Sequence, residues 1–343
     1  MRVIELWQWI VVFVLAGAVL LRAGVVLAGA GDEIAARTGL GGLLIGAVLV
    51  ALATSLPELA TTVSAVAADA PDLAVGGILG SSMANMAILA VIDLVHRGRV
   101  WPSVEIGQAK AGSVAIVLTT VVVVGIVQPT EWEVGWLGPH LVLVGILYVA
   151  TVAWMRRPPR GEPEGIPTTG EVPVVPTGWR SRTVRQELRP AVRRFALASF
   201  AILLAGPAAA ISGEGIADET GISQSFVGVA LLAVATSLPE LVASLGAVRI
   251  GAYDLAAGNL FGSNALNLVA LVVADAAYGR GSLLAAVEPA EALAGMVAIG
   301  LMALALAAIV HGGETRVLRL EPGPALLLVA YAAGLVAVWS AGR

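Results

Sequence analysis

Ten apolar segments, each about 20 residues long, run through this chain of 343 residues. A segment of that length can cross the hydrocarbon core of a bilayer as an α-helix. Five segments precede a polar stretch in the middle of the chain and five follow it. The predicted spans are 7–29, 40–67, 72–95, 111–128, 135–155, 195–213, 223–248, 253–277, 287–311 and 323–340. The sequence therefore predicts an all-α polytopic membrane protein with ten transmembrane helices.

The composition restricts the chemistry that such a bundle can perform. Charged residues make up 13% of the chain, about half their share in soluble domains, and hydrophobic residues make up 58%. The chain has no cysteine and only three histidines, which argues against disulfides, thiolate chemistry and imidazole metal clusters. A net charge of −4 gives no indication of a nucleic-acid partner. The functional groups must therefore be oxygens.

The distribution of basic residues predicts the orientation in the membrane. If the N-terminus lies outside, the inner loops hold most of the lysines and arginines, including nine arginines between residues 156 and 194. Short cytoplasmic loops carry this excess in multi-pass proteins. We therefore expect a cell-membrane protein with both termini outside and a cytoplasmic central loop. Its basic end, 179–194, is either a helix on anionic lipid or a solvated orientation signal.

An internal repeat divides the chain into two halves. A shift of 182 residues places ALATSLPEL, residues 51–59, on AVATSLPEL, residues 233–241. The same shift places DLAVGGILGSSMAN on DLAAGNLFGSNALN. Five spans separate the copies, so the second copy enters the membrane from the opposite side, as in many secondary transporters. We expect five-helix repeats at 1–156 and 195–343 joined by a basic cytoplasmic linker at 157–194, with ion-binding segments at about 40–90 and 222–272.

The TSLPE motif places a proline and a glutamate within each copy's membrane span. A proline inside a helix lacks an N–H and clashes with the carbonyl four residues earlier, so Pro57 and Pro239 predict broken helices at the midplane. The freed carbonyl oxygens then need a partner in protein, water or an ion. Glu58 and Glu240 are the acidic residues predicted near the midplane. Each needs a cation, a proton or a basic partner.

The second motif supplies neutral oxygens. Ser81 and Asn85 are four residues apart and share one helix face, and Ser263 and Asn267 repeat this arrangement. Two carboxylates with amide, hydroxyl and backbone oxygens suit a hard cation, and a flexible set of six to eight oxygens suits Ca²⁺. Na⁺ is similar in size and can compete for the same oxygens. The pattern thus favours an antiporter.

At these motifs the sequence resembles the sodium/calcium exchanger family of the calcium:cation antiporter superfamily. The resemblance extends over nearly the whole chain outside residues 157–192. It implies a Ca²⁺ site around two carboxylates and two backbone carbonyls, Na⁺ sites at hydroxyls and further carbonyls, and amides that complete the ring. The implied groups are Glu58, Glu240, the carbonyls of Thr54 and Thr236, Ser81, Ser263, the carbonyls of Ala51 and Ala233, Asn85 and Asn267.

The expected function is secondary active exchange of Na⁺ for Ca²⁺ by alternating access in the lipid bilayer, without a cofactor. Many prokaryotic relatives carry an aspartate where Asn267 stands, so the ring here holds two carboxylates and not three. Ca²⁺/H⁺ exchange, with both glutamates loading protons, is therefore the alternative. A passive channel and an intramembrane enzyme are less well supported, and the absence of a P-loop argues against ATP-driven pumping. The oligomeric state is not predicted.

Overall fold

The structure is a computed structural model that describes residues 5–38, 44–96, 100–104, 107–130, 132–155, 188–249, 251–311 and 322–342. It describes the backbone alone for residues 32, 35–38, 44–54, 102, 107, 109, 155 and 322. Ten long helices form this part of the chain. They are α1 (Leu6–Thr38), α2 (Leu44–Ala67), α3 (Pro71–Val95), α4 (Gly107–Val127), α5 (Pro139–Met155), α6 (Arg189–Thr220), α7 (Gln224–Arg249), α8 (Tyr253–Tyr278), α9 (Pro289–His311) and α10 (Pro322–Ala341). Short helices at Val100–Ser103 and Leu283–Ala285 lie in the connections after α3 and α8.

The predicted fold class, an all-α membrane protein of two inverted five-helix repeats, is confirmed. Eight helices in the described part of the chain are long and apolar enough to cross a membrane, and α5 is a shorter apolar helix. The helix order reproduces the predicted spans on both sides of the central stretch. The helix α6 begins at Arg189, inside the expected linker 157–194, while residues 156–187 lie outside the described part.

The four helices that carry the repeated motifs form the centre of the bundle. Helix α3 packs against α2, α7 and α8, and α8 packs against α2 and α7. Around this centre, α9 and α10 pack on α3, while α4 and α5 pack on α8. The long helices α1 and α6 pack on each other and reach α7 and α2. Each repeat thus contributes two central helices, and the outer helices of one repeat cover the central helices of the other.

Two glycines that correspond in the repeat allow α1 and α6 to approach the central helices. A Cβ added at Gly24 of α1 would lie 2.5 Å from the ring of Pro239 in α7. A Cβ added at Gly206 of α6 would lie 2.7 Å from Ala60 in α2, three residues after Pro57. Small residues at helix crossings allow this close approach in membranes. The inverted symmetry predicted from sequence is therefore visible in the packing beside each proline.

The prediction that the helices are broken at the two prolines is wrong for the TSLPE motifs themselves. Helix α2 continues through Pro57 and α7 continues through Pro239, so neither TSLPE motif is unwound. A proline inside a helix costs about 3 kcal/mol, which tight packing on both sides can offset. The departure from α-helix occurs earlier, where Val227–Leu232 of α7 forms a π-helix. The corresponding part of α2 is α-helical.

Two buried aspartates at the ends of α3 and α8 hold the connections that follow. Asp93 accepts a hydrogen bond from the Val100 N–H at 2.9 Å. Asp275 accepts bonds at 2.7 Å from the N–H groups of Leu283 and Gly138. Backbone N–H groups at the start of a short helix lack internal partners, so a buried carboxylate there stabilises the connection. These repeated acids have structural partners of their own.

Ion pairs mark the two opposite faces of the bundle. Arg280, between α8 and α9, pairs with Asp69, between α2 and α3. The carboxylate of Asp69 raises the pKa of the Arg280 guanidinium above its usual value. On the other face, Arg194 of α6 pairs with Glu33 of α1. The connections α2–α3 and α8–α9 therefore share one face, as inverted repeats require.

Candidate cation site at the repeat interface

The carboxylates of Glu58 and Glu240 lie together inside the bundle. The two side chains are 1% and 0% exposed, and they interact electrostatically across the interface between α2 and α7. The Thr236 hydroxyl lies beside Glu58 and the Ser263 hydroxyl beside Glu240, yet among the described side chains no carboxylate oxygen has a partner at normal hydrogen-bond geometry. Burial of an unpaired carboxylate is costly, and two neighbouring ones also repel each other. The pair therefore requires cations or protons.

A chain of hydroxyl and carbonyl oxygens connects the repeats beside this pair. Ser81 Oγ of α3 lies 3.2 Å from Thr236 Oγ1 of α7. Thr236 Oγ1 also donates to the carbonyl oxygen of Ala233 at 3.2 Å. When Thr236 donates to Ala233, Ser81 is the donor to Thr236, which leaves the Ser81 lone pairs available. Three of the residues predicted from sequence thus meet at one point of the interface.

The amide of Asn85 is held in one orientation by Asn264, a residue that the sequence analysis did not single out. Asn264 Nδ2 is 3.4 Å from the carbonyl oxygen of Ser82, which can only accept. Asn264 Oδ1 then accepts from Asn85 Nδ2 at 2.8 Å. The Asn85 Oδ1 atom is buried without a partner. This network therefore leaves the oxygen of Asn85, and not its nitrogen, free to bind a cation.

The remaining predicted residues of the second repeat are also buried at this interface. Ser263 is 3% exposed, and Asn267 is 0% exposed with neither amide atom hydrogen bonded. In the first repeat, Thr54 and Ala51 lie in α2, but their side chains fall outside the described part of the chain. The structure thus brings Ser81, Thr236, Ala233 and Ser263 together with the two glutamates. Asn85 and Asn267 are buried one helical turn from Ser81 and Ser263 on α3 and α8.

Three residues beyond the predicted set bear on the site. Ser55 and Ser237, the serines of the two TSLPE motifs, have buried hydroxyls without a partner. They repeat exactly in the sequence, and this repetition is a signal that could have identified them. Asn264 corresponds to Ser82 in the first repeat, so it is a place where the copies differ. The signal that could have identified Asn264 was this exchange of one polar residue for another between the two copies.

Close approach of α3 and α7 underlies the geometry of the site. A Cβ at Gly80 would lie 2.5 Å from both the Cα and the carbonyl oxygen of Val229, in the π-helical part of α7. A Cβ at Gly228 would lie 2.8 Å from the carbonyl oxygen of Leu73. Glycines on both helices therefore bring α3 against the π-helical turn. This contact places Ser81, the residue after Gly80, next to Thr236.

The donor set at this interface is chemically uniform. Within the described residues, no three acidic or imidazole side chains come close enough to hold a metal ion by themselves. The central groups are two carboxylates, hydroxyls, amide oxygens and a backbone carbonyl, all of which are hard oxygen donors. Such donors suit Ca²⁺ and Na⁺ and do not favour softer transition metals. The arrangement can thus bind a hard cation between two halves that are related by inverted symmetry.

Comparison with known proteins agrees with this architecture. The family model described as sodium/calcium exchanger protein matches the chain twice, at residues 8–155 and 192–340. CaxA of Alkalimonas amylolytica is 28% identical over 266 residues, which cover 76% of this chain and 78% of that protein.

Two solved structures extend the comparison to the fold. The sodium-calcium exchanger NCX_Mj superposes with a TM-score of 0.57 at 19% identity, over 97% of this chain and 99% of its own. The H⁺/Ca²⁺ exchanger CAX superposes with a TM-score of 0.62 at 15% identity, over 96% of this chain and 86% of its own. The same fold thus serves exchangers named for different counter-ions.

Proposed function

Since this chain belongs to the sodium/calcium exchanger protein family, we propose that it is a secondary active antiporter that exchanges Na⁺ for Ca²⁺ by alternating access. The observation that carries the proposal is the pair Glu58 and Glu240, which are buried together. Among the described residues, no basic side chain pairs with them and no hydrogen bond of normal geometry reaches their carboxylate oxygens. Ca²⁺ between them offsets both charges. Ca²⁺ is the transported ion, and the proposed exchange requires neither a cofactor nor an enzymatic reaction.

The neutral oxygens around this pair would complete the coordination in our proposal. Asn85 and Asn267 supply amide oxygens, while Ser81, Ser263, Thr236 and the carbonyl of Ala233 supply the other donors. The carbonyls of Thr54 and Ala51 would complete the same set from the first repeat. Because these oxygens come from both repeats, movement of one repeat against the other would alter the site and its access together.

Na⁺ would use part of the same site. Each Na⁺ brings one positive charge, and two carboxylates balance either one Ca²⁺ or two Na⁺. Ca²⁺ and Na⁺ would therefore exclude each other by charge, and this exclusion is what couples their movements. A membrane protein that binds one or the other, and changes its access only when loaded, is an exchanger.

Ca²⁺/H⁺ exchange is the second candidate, and one observation favours it. Asn267 is neutral, so Glu58 and Glu240 supply the negative charge of the proposed ring, and two carboxylates are few for a site that holds several Na⁺ ions. Two unpartnered carboxylates can also each accept one proton. In that case two protons would replace Ca²⁺, and Na⁺ would not be required.

The experiment that separates these candidates is ⁴⁵Ca²⁺ uptake into proteoliposomes. An outward Na⁺ gradient, with pH equal on both sides, should drive uptake if Na⁺ is the counter-ion. An outward proton gradient without Na⁺ should drive it if protons are. Uptake that responds only to the proton gradient would overturn the first candidate. Uptake that proceeds equally without either gradient would indicate a passive path and overturn both.

For the orientation and the division of the chain, we propose both termini outside, five-helix units at 1–156 and 195–343, and the linker 157–194 in the cytoplasm. The chain has no cysteine, so one added cysteine reports its own side of the membrane. Ser340→Cys, on the exposed end of α10, should react with a membrane-impermeant maleimide from outside. Arg249→Cys, at the exposed end of α7, should react only after permeabilisation. The reverse pattern would contradict this orientation.

A further inference from the structure

A third glutamate is buried in the bundle away from the central pair. Glu291 lies in the first turn of α9 and is 0% exposed. The Ser225 hydroxyl lies beside it, but in the described part of the chain neither carboxylate oxygen has a hydrogen-bond partner of normal geometry. No ion pair with a basic side chain is present for it in the described part of the chain. A carboxylate so placed carries the same requirement as the central pair, which is a cation or a proton.

The ordinary structural role for a glutamate at this position does not apply. Glu291 is the third residue of α9, where a glutamate often reaches back to the N–H of the residue that precedes the helix. Here that residue is Glu288, and its N–H donates instead to Asp72 Oδ1 of α3 at 2.6 Å. Asp72 thus performs the capping role, and the buried Glu291 carboxylate takes no part in it.

Other oxygens converge with this carboxylate beside one glycine of α3. A Cβ added at Gly76 would lie 3.0 Å and 3.2 Å from the two Glu291 carboxylate oxygens. It would also lie 3.0 Å from the carbonyl oxygen of Ser225. The Ser225 hydroxyl is 1% exposed and has no hydrogen-bond partner of normal geometry. One carboxylate and two oxygens of Ser225 therefore meet where α3, α7 and α9 come together.

The position of this cluster relates it to the central site. Asp72, Gly76 and Gly80 follow one another at intervals of four residues, so they lie along one face of α3. Ser81 follows Gly80 and lies at the central site. The five residues from Gly76 to Ser81 rise by about 7.5 Å in an α-helix. Acidic groups thus follow one another from one face of the bundle inwards. The first is the partly exposed Asp72, the second is the buried Glu291, and the last is the central pair.

The symmetry-related position beside α8 holds no carboxylate. Gly258 of α8 corresponds to Gly76, and a Cβ added there would lie 2.9 Å from the side-chain oxygen of Gln108 in α4. Gln108 thus takes the position of Glu291 on the opposite face of the bundle, with a neutral amide. The two equivalent positions therefore differ by one charge. The acidic side chains of Asp72 and Glu291 lie toward the face of the bundle that carries the α2–α3 and α8–α9 connections.

We propose that Glu291 and Ser225 form a peripheral Na⁺ site on the path between this face and the central site. One carboxylate balances one monovalent cation, whereas Ca²⁺ would keep a net positive charge in a buried position. The Ser225 hydroxyl and carbonyl supply neutral oxygens, and the nearby charges of Asp72 and Glu288 attract cations to this face. The site would load Na⁺ before it reaches the central carboxylates, so the inference rests on the proposed function.

A binding measurement that needs no transport tests this site. In the Glu58→Gln/Glu240→Gln double variant, which lacks the central charges, we expect thermal stability in detergent to rise with NaCl relative to choline chloride at equal ionic strength. Adding Glu291→Gln should abolish that rise. Glu133→Gln, which removes an exposed charge in the connection between α4 and α5, should keep it. If Glu291→Gln does not fold, Ser225→Ala in the same background should weaken the response to Na⁺.

The outcomes are distinct for this site and for the proposed function. No Na⁺-specific stabilisation in the double variant, or stabilisation that survives Glu291→Gln, would overturn the peripheral site. Stabilisation by low pH but not by Na⁺ would also overturn it and would make Glu291 a proton carrier. In transport, Glu291→Gln with intact central glutamates should raise the Na⁺ concentration for half-maximal exchange at least tenfold from one face only. A wild type that transports Ca²⁺ without Na⁺ would defeat the proposed function while leaving the binding test valid.

Discussion

The contact between α3 and the π-helical turn of α7 gives a prediction whose magnitude follows from the structure. In Gly80→Ala, the new Cβ would lie 2.5 Å from the Cα and carbonyl oxygen of Val229 and 2.8 Å from the Cβ of Ala233. Ordinary contacts between carbon atoms are about 3.5–4.0 Å, so the helices must separate by about 1 Å. The obstructing atoms at 2.5 Å belong to the backbone and cannot rotate away.

Overpacking of this kind costs about 1–3 kcal/mol. With the unfolding entropy typical of folded chains, that cost lowers the Tm by about 1.5–4 °C for 343 residues. The same separation would pull Ser81 Oγ away from Thr236 Oγ1, which lie 3.2 Å apart. We therefore expect Ca²⁺ transport to fall more than stability alone explains.

The repeat supplies a matched control for this prediction. Gly262 is the counterpart of Gly80 in the second repeat, and a Cβ there would have no atom within 4 Å. Gly262→Ala should leave the Tm unchanged or raise it, since alanine is the better helix former by about 1 kcal/mol. Thermal unfolding in detergent and ⁴⁵Ca²⁺ uptake measure both variants. Equal stability and transport in the two variants would refute the argument that this glycine sets the helix contact.

Three further outcomes follow from other contacts. Asn264→Leu should lower stability by about 1–3 kcal/mol, because it leaves the Asn85 amide nitrogen buried without a partner, and should weaken Ca²⁺ binding. Asn259→Leu, which removes a bond to a serine outside the central site, should leave Ca²⁺ binding unchanged, and a similar loss in both variants would contradict the positioning role. Asp275→Asn should lower the Tm without changing Ca²⁺ affinity, since the carboxylate holds two backbone N–H groups of connections, and changed affinity would count against that role. Finally, Ca²⁺ affinity should fall with decreasing pH, by up to about tenfold per pH unit for each proton that Ca²⁺ displaces. An affinity that does not change between about pH 5 and pH 9 would contradict binding by ionised carboxylates.

The sequence was sufficient to predict the helices and the burial of Glu58 and Glu240 inside the bundle, because both depend on local or repeated information. Apolar length predicts a membrane helix, and a polar motif that occurs twice in an apolar chain indicates a site. The prolines were misleading locally, since Pro57 and Pro239 suggested unwound turns where the helices continue. Helix propensity describes a helix without neighbours. The packing of α1 against Pro239 at Gly24 is a tertiary contact, which propensity does not include.

Contacts between distant residues account for what the sequence could not show. Asn85 and Asn264 are 179 residues apart, and their pairing depends on how α3 crosses α8. Glu291 stands near the end of its predicted span, where an acid is usually solvated. Only the position of Asp72 at the Glu288 N–H shows that the ordinary capping role is taken by another residue. At both positions the two copies of the repeat differ, since Asn264 corresponds to Ser82 and Gln108 takes the position of Glu291.

The central claim is that one glutamate from each repeat builds a single shared cation site. Its most direct test is Ca²⁺ exchange by Glu58→Gln and Glu240→Gln, measured separately in proteoliposomes with ⁴⁵Ca²⁺. Glu133→Gln, which changes an exposed glutamate in the same way, is the control, and all variants should elute as folded protein from size-exclusion chromatography. We expect either central substitution alone to abolish exchange while the control retains it. Exchange at the wild-type rate in either central variant would contradict a site that both repeats share.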